Sequence, residues 1–474
     1  MRPDAKKEES DMTARVADQA LLTDLYELTM AQSYYFEGMG SDAVFSLFIR
    51  DYPPNRGFFV NAGLEDVLFY LENLSFSQKD LDYLDSTGLF RADFLHYLST
   101  VRFTGDVFAM PEGRIFFKEE PVLEITAPII QGQLVETYII NRFNFQVAVA
   151  TKICRSVSAA RGRQVVDFSL RRTQGIDAGM AVARSGWIAG MDATSNVMAG
   201  KNYQIPVSGT MAHSYVTAFK DEIEAFRAYA DLYKNETVLL IDTYDTMKGA
   251  KKAADVAREM AEKGYRLKAV RLDSGDMVEL SRQVRHLFDA QGLDYVKIFA
   301  SGGFDEYAIT DCLDRGAEID GFGVGTRQGV SADAPYTDMA YKMVQYNGRS
   351  TLKLSSGKRS LAAPKQVFRN TVNKKMEGDV IGLRQESLLG TPLLKPVMTS
   401  GKRGGNPESL HTARERFRSD LDALPERYRT LKSPEQYRVE TSDALERLQE
   451  KAVKEATRRE LGGSDENRAE RSLS

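Results

Sequence analysis

A chain of 474 residues, 42% hydrophobic and 27% charged, reads as an ordinary soluble globular protein, long enough for two or three domains or for one large α/β domain with additions. Its net charge of −4 argues against nucleic acid as a partner, because a strongly basic face is the footprint of such binding. Its two cysteines, Cys154 and Cys312, make no disulfide framework and suit a reducing cytoplasm.

The first residues, MRPDAKKEESDM, are charged and lack an apolar core, so neither a signal peptide nor an anchor is read there. No apolar run approaches the roughly 18 residues of a membrane helix, and no membrane partner is expected. Residues 1–17 read as a poorly ordered arm. A helix follows in LLTDLYELTMAQSYYFEG, with Thr23 or Asp24 as cap and Gly38 and Gly40 as its end. AVFSLFIR (43–50) alternates partly and reads as a strand. Helical patterns run through 77–99, and 103–128 reads as a small antiparallel sheet. From Gln131 to about Ala160 lies the longest uninterrupted helical pattern.

The rhythm then changes. VVDFS, VLLIDTYD (238–245), LKAVRLDSGD (267–276), VKIFASGG (296–303) and IDGFGVGT (319–326) are short apolar runs with polar or glycine-rich ends. Helical segments separate the last four, which implies parallel strands joined by crossover helices. Ligands of such folds bind beyond the carboxyl ends of the strands. VSGTMAHS (207–214) fits the series. It carries His213, one of only four histidines, among small residues. Histidine titrates near neutrality and can act as acid, base or nucleophile; the alternative is a structural histidine held by a backbone carbonyl.

The strand ends supply a coherent chemistry. SGG (301–303) and GFGVGT (321–326) are glycine turns able to cradle phosphate with backbone N–H groups. Asp273 and Asp242 offer carboxylates for ribose hydroxyls or Mg²⁺, whereas capping of the next helix competes for Asp245 and Asp276. Arg171, Arg172 and Arg327 add positive charge suited to phosphate or carboxylate, with surface salt bridges as the competing reading. Phe168, three residues before Arg171, offers a plane for a flat anionic ring, or core packing. Tyr26, taken alone, reads as core or interface packing.

The motifs LLTDLYELTMAQSYY, FSLRRTQG, GMDATSNV, GTMAHS, VRLDSGD, ASGGFDE and GFGVGTR together resemble the nicotinate phosphoribosyltransferases, a type II phosphoribosyltransferase family. They fall in the family's order between about 20 and 330, and LPERYRTLKSPEQYRV (424–439) resembles its C-terminal region. The resemblance implies an irregular, TIM-like α/β barrel beside an α+β domain built from the N-terminal and part of the C-terminal segments. The expected division is an arm at 1–17, an α+β domain at 18–140 completed by part of 345–440, a catalytic barrel at 141–345, and a helix with a disordered tail at 440–474.

The same resemblance implies transfer of the sugar of phosphoribosyl pyrophosphate to nicotinate. Nicotinate mononucleotide and pyrophosphate are the products, and the pathway is NAD salvage in the cytoplasm. ATP hydrolysis through a phosphohistidine at His213 drives the reaction, with Mg²⁺ as cofactor and no protein metal ligands assigned. Arg271 and Asp273 are implied at the phosphates and ribose hydroxyls. Phe168, Arg171 and Asp192 are implied at the nicotinate ring, with Tyr26 supplied by the second subunit of a homodimer. Ser301, Gly302, Gly303, Gly323, Gly325 and Thr326 are implied at the 5′-phosphate. Three readings compete: transfer to nicotinamide, a non-catalytic phosphate-ligand sensor on the same fold, and a barrel aldolase or isomerase. The last leaves His213 and the Phe168–Arg171 pair idle.

Overall fold

The computed structural model describes residues 19–354 and 360–461. The charged arm expected at 1–17 and the tail after 461 lie outside those residues. The chain divides into two compact units, Met1–Val147 with Tyr336–Ser474, and Ala148–Pro335. The division falls inside the helix Glu136–Ala159.

A seven-stranded antiparallel sheet carries the core of the first unit. Asp42–Ile49 lies between Met339–Tyr346 and Leu123–Pro128, and the sheet continues through Asp106–Ala109 to Lys395–Thr399. Every residue of Asp42–Ile49 after the first is buried. Both faces are therefore covered, which is why the alternation of a half-buried strand is only partial here. The stretch 103–128 supplies two of these strands, but Ile115–Phe116 pairs instead with Phe59–Val60.

The helix expected after Thr23 forms over Leu25–Phe36. Asp24 occupies the cap position without capping; its carboxylate accepts the Thr137 hydroxyl at 2.6 Å. The long helical pattern expected from Gln131 is divided into Ile129–Leu134 and Glu136–Ala159. A helix start leaves its first amides without intrahelical partners. Here Glu27 accepts the Thr137 N–H at 2.9 Å. The pattern over 77–99 likewise forms two helices, Gln78–Ser86 and Ala92–Thr100.

The second unit is built on six parallel strands: β1 Gln164–Asp167, β2 Ala193–Thr194, β3 Val238–Leu240, β4 Ala269–Leu272, β5 Lys297–Ala300 and β6 Gly321–Val324. Their order is β2-β1-β6-β5-β4-β3. The helices Thr246–Glu262, Met277–Asp289 and Glu306–Asp314 join β3 to β6 in turn. The first of these packs through Ala250, Ala253, Ala254 and Ala257, all buried, so the layer lies close to the sheet. Asp245 and Asp276 cap their helices through side-chain hydrogen bonds, as the competing reading held.

Val207 adds a parallel bridge to Thr194 beyond β2. Four residues later, Met211 is buried in the cluster that holds Leu239, Leu240 and Val270 of β3 and β4. The stretch from Val207 to Met211 therefore crosses from one edge of the sheet to the other. The hydrogen-bonded strands form a curled half-barrel, and no closed ring of strands is made among the described residues.

One buried cation ties several parts of the first unit together. Arg369, 4% exposed, donates Nη2 to Asp379 Oδ2 at 2.7 Å and Nη1 to the Ile115 carbonyl at 2.8 Å. Its Nη1 also lies 3.6 Å from Asp420, on the helix Leu410–Ala423. Glu120 shares this interior, where burial and then the Asp379 carboxylate push its carboxyl well above the usual range. Removing one partner of a buried ion pair strands the others. Arg369→Met is expected to destabilise the protein by about 3–5 kcal/mol. Chemical denaturation checks this; an unchanged midpoint contradicts it.

Candidate active site

The polar groups at the carboxyl ends of β1, β3, β4, β5 and β6 meet on one side of the second unit. Asp273, directly after β4, is the centre of the group. Its Oδ1 accepts the Ser301 hydroxyl from the end of β5. Its backbone N–H donates to Asp242 Oδ2 at 3.0 Å, beyond β3, and the Ser274 hydroxyl donates to the same oxygen at 2.6 Å. Its Oδ2 stands 3.8 Å from His213 Nε2. That is ion-pair range but too long for a hydrogen bond. The side chains of His213 and Asp273 are 43% and 35% exposed, so both remain open to a ligand.

His213 is positioned by its flanks. Met211 and Val216 are buried on either side, and His213 begins the short helix His213–Thr217. Tyr215 packs edge-on to Tyr229 at 5.7 Å between ring centroids. The imidazole Nδ1 lies 3.2 Å from the Thr243 hydroxyl.

Arg271, the third residue of β4, donates Nη1 to the Thr210 hydroxyl at 2.6 Å. Burial depresses its pKa, the carboxylates of Asp273 and Asp242 oppose that shift, and Arg171 reinforces it. Its Nε and the Asp242 Oδ1 are buried without hydrogen-bond partners. Unpaired buried polar atoms are costly, and these two lie at the strand ends beside Asp273.

Phe168, directly after β1, lies over β6. A Cβ on Gly323 would come within 2.5 Å of its ring, so only glycine leaves the ring this place. Phe299 flanks it, with ring centroids 6.1 Å apart. Asp167 fixes the turn. Its carboxylate accepts the Ser169 N–H at 2.8 Å, the Ser169 hydroxyl at 2.6 Å and the Thr194 hydroxyl at 2.7 Å. Burial raises its pKa. This turn presents Arg171, exposed in the short helix Leu170–Arg172.

Other predicted residues take different places. Gly323 belongs to β6 beneath Phe168, not to a loop. Ser301, 3% exposed, secures Asp273. Gly302 and Gly303 form the turn after β5 with φ of +100° and +80°. Gly325 precedes the four-residue helix Thr326–Gly329, and Thr326 is exposed at its start. Arg327 donates to Asp305 Oδ2 at 2.9 Å, and so links the two glycine turns.

Asp192 precedes β2 at the amino end of the sheet, where its carboxylate accepts the Val165 N–H at 2.9 Å. It is therefore level with Val165 in β1, three residues before Phe168. Tyr26 is exposed on a helix of the first unit. Sequence reasoning missed Asp167, Ser169, Thr194, Thr210 and Thr243. An Asp followed two residues later by Ser is the signature of a side-chain turn, and was the available signal for the first two. Among the described residues no group of three or more His, Cys, Asp or Glu side chains is placed to hold a metal ion. Asp242 and Asp273 are the nearest carboxylates to such a role.

Comparison with known proteins agrees along most of the chain. Residues 21–144 match the nicotinate phosphoribosyltransferase N-terminal domain, 163–417 the nicotinate phosphoribosyltransferase family, and 390–449 its C-terminal domain. The nicotinate phosphoribosyltransferase pncB2 of Mycobacterium tuberculosis (strain ATCC 25618 / H37Rv) is 47% identical over 428 residues, spanning 90% of this chain and 92% of that protein. The nicotinate phosphoribosyltransferase of Bacillus subtilis (strain 168) is 36% identical over 458 residues, spanning 90% and 93%. The crystal structure of human nicotinic acid phosphoribosyltransferase superposes with a TM-score of 0.82 at 27% identity, covering 91% of this chain and all (100%) of that one.

The two glycines of the turn after β5 make separable demands. A Cβ on Gly302 would lie 2.2 Å from the Asp273 carbonyl oxygen, whereas one on Gly303 meets nothing within 4 Å. Gly303→Ala is expected to cost only the positive-φ penalty of about 1–2 kcal/mol. Gly302→Ala adds a backbone clash and is expected to cost more than that. Melting the two variants side by side checks the order, and equal or reversed losses contradict it.

Proposed function

The chain belongs to the nicotinate phosphoribosyltransferase family, and from that premise we propose how its residues carry the reaction. It is an enzyme of pyridine nucleotide salvage in NAD biosynthesis. In the proposed reaction the nicotinate ring nitrogen attacks the anomeric carbon of phosphoribosyl pyrophosphate. The carbon–oxygen bond to pyrophosphate breaks, and pyrophosphate leaves with the electron pair. Positive charge builds on the ribose and then on the ring nitrogen, so positioning and electrostatics carry the catalysis.

The observation that carries this reading is the cluster of Asp273, Ser301, Arg271 and His213 at the strand ends. Asp273 holds the ribose hydroxyls and opposes the developing positive charge. Arg271, with its unused N–H, and the turns at Gly302-Gly303 and Gly325-Thr326 hold phosphate. Phe168 supports the pyridine ring, and Arg171 receives the nicotinate carboxylate. Asp273 and the orphaned Asp242 oxygen would hold Mg²⁺. When bound, that ion offsets the leaving-group charge.

ATP hydrolysis passes through phosphorylation of His213, whose ring faces the same cluster. The half-barrel acts as an irregular, TIM-like barrel, with the Val207–Met211 stretch in place of paired strands. Exposed apolar side chains support a homodimer with a shared active site: Leu22, Leu25 and Tyr26 in the first unit, and Ile176, Val197, Met198 and Val207 in the second. Tyr26 of one copy then covers the ring bound by the other. Burial of both cysteines as free thiols supports a cytoplasmic location. No helix among the described residues is long and apolar enough to cross a membrane.

Purified protein with phosphoribosyl pyrophosphate and Mg²⁺ tests this reading directly. Nicotinate mononucleotide is expected from nicotinate, faster with ATP, and no nucleotide from nicotinamide. His213→Ala is expected to retain slow transfer that ATP no longer accelerates. Turnover of nicotinamide would recast Arg171 as a phosphate ligand, and full ATP coupling in the variant would remove His213 from that role.

A further inference from the structure

Arg327 stands between the two glycine turns, and no step of the proposed transfer uses it. Its side chain is 54% exposed, and its Nη1 donates to Asp305 Oδ2 at 2.9 Å. Asp305 lies two residues after Gly303, and its side chain is 11% exposed. Its Oδ1 accepts the N–H groups of Tyr307 at 3.1 Å and Ala308 at 2.9 Å. The start of the helix Glu306–Asp314 therefore holds the carboxylate, and the carboxylate holds the arginine. Among the described residues, the N–H groups of Gly302 and Gly303 meet no protein acceptor. A Cβ on Gly303 would meet nothing within 4 Å, so there is open space above that turn.

Arginine–carboxylate pairs occur elsewhere on this chain, as between Arg161 and Asp314, and solvated pairs of that kind contribute little. The Arg327–Asp305 pair differs in its footing. The residue after Asp305 is Glu306, fully buried, whose carboxylate lies 2.6 Å from Lys152 Nζ and accepts Arg155 Nε at 2.8 Å. The residue after Arg327 is Gln328, also fully buried, whose Nε2 donates to the Ser156 hydroxyl. Lys152, Arg155 and Ser156 lie on one face of the helix Glu136–Ala159, at helical spacing. That face grips both turns from beneath and fixes the backbone on which the exposed pair stands. An arginine that meets a carboxylate through one Nη has further N–H groups on its planar fork for a second anion.

We propose that Arg327 is a further binding residue for the 5′-phosphate of phosphoribosyl pyrophosphate and of nicotinate mononucleotide, with Asp305 setting the direction of its guanidinium. The proposal rests on the reading that the glycine turns hold that phosphate. The turn amides offer hydrogen bonds without net charge; Arg327 adds the positive charge that a phosphate dianion calls for. The 5′-phosphate keeps its charge throughout the transfer. The contact therefore favours ground state and transition state alike, and its loss falls on KM rather than kcat.

Calorimetric titration of the full-length protein with nicotinate mononucleotide, and with nicotinate riboside, which lacks the 5′-phosphate, reads the contact directly. Arg327→Gln is expected to weaken the mononucleotide about tenfold or more, the scale of a lost hydrogen bond to a charged group, and to leave the riboside within about twofold. KM for phosphoribosyl pyrophosphate is expected to rise by a similar factor while kcat stays within about twofold. Equal weakening of both ligands with a lower melting temperature would mark a merely structural role and overturn the proposal. So would weakened binding of pyrophosphate with the mononucleotide unaffected. Gly303→Asp, which sets a carboxylate on the turn, tells the two failures apart. If it abolishes the preference for the mononucleotide while Arg327→Gln keeps it, only the arginine's role is wrong; if neither variant loses the preference, the turns are not the phosphate site.

Discussion

The site depends on one residue fixed from both of its neighbouring strands. Asp273 follows β4; its carboxylate accepts the Ser301 hydroxyl from the end of β5, and its backbone N–H donates to Asp242 beyond β3. Parallel strands make this possible, because every strand delivers its carboxyl end to the same rim. A backbone fixed by the ladder then needs only short side chains to lock the geometry. Gly302 packs against the Asp273 carbonyl, so the glycine turn lies directly on the backbone that carries the carboxylate. His213 arrives from outside the strand ladder. It is brought opposite Asp273 by a stretch anchored in the core at Met211 and Val216.

Buried charge in the first unit is held in ion pairs: Arg369 engages Asp379 and a backbone carbonyl, and Lys365 and Arg384 both reach the buried Glu124. At the strand ends of the second unit, Arg271 keeps an N–H and Asp242 an oxygen without a hydrogen-bond partner. Such atoms also occur in the first unit, at Arg384 Nε and Glu120 Oε1. What ties Arg271 and Asp242 to the chemistry is therefore their place beside Asp273, which a fold by itself does not give.

Much of this was legible in the sequence for simple reasons. Five of the six strands could be read because each apolar run stops at a polar or glycine residue; the two-residue β2 has no such run, and VSGTMAHS, read as one of the series, contributes only the Val207 bridge. His213 stood out because histidine is rare in the chain and small residues surround it. What was not legible depended on three-dimensional register. Asp192 shares a motif with Thr194 and Asn196, yet its carboxylate takes the Val165 N–H, while Thr194 bonds Asp167 at the end of β1. Gly323 reads as a loop glycine, but β6 begins two residues earlier and the glycine makes room for Phe168. The break at Val135 carries no proline or glycine; it forms where distant Glu27 caps the new helix start. Asp24 looks like a helix cap, and Thr137 takes its carboxylate instead. A single sequence cannot show such competition between local and long-range partners.

The central claim is that Asp273 organises the reacting sugar and opposes its positive charge. The most direct measurement is kcat for nicotinate mononucleotide formation by Asp273→Asn, which keeps the acceptor for Ser301 and removes the charge. The account predicts a loss of about 10²–10³ in kcat, the scale of a lost electrostatic contact to the transition state, with the melting temperature little changed. A variant that folds and turns over within a few-fold of the unmodified enzyme would contradict it.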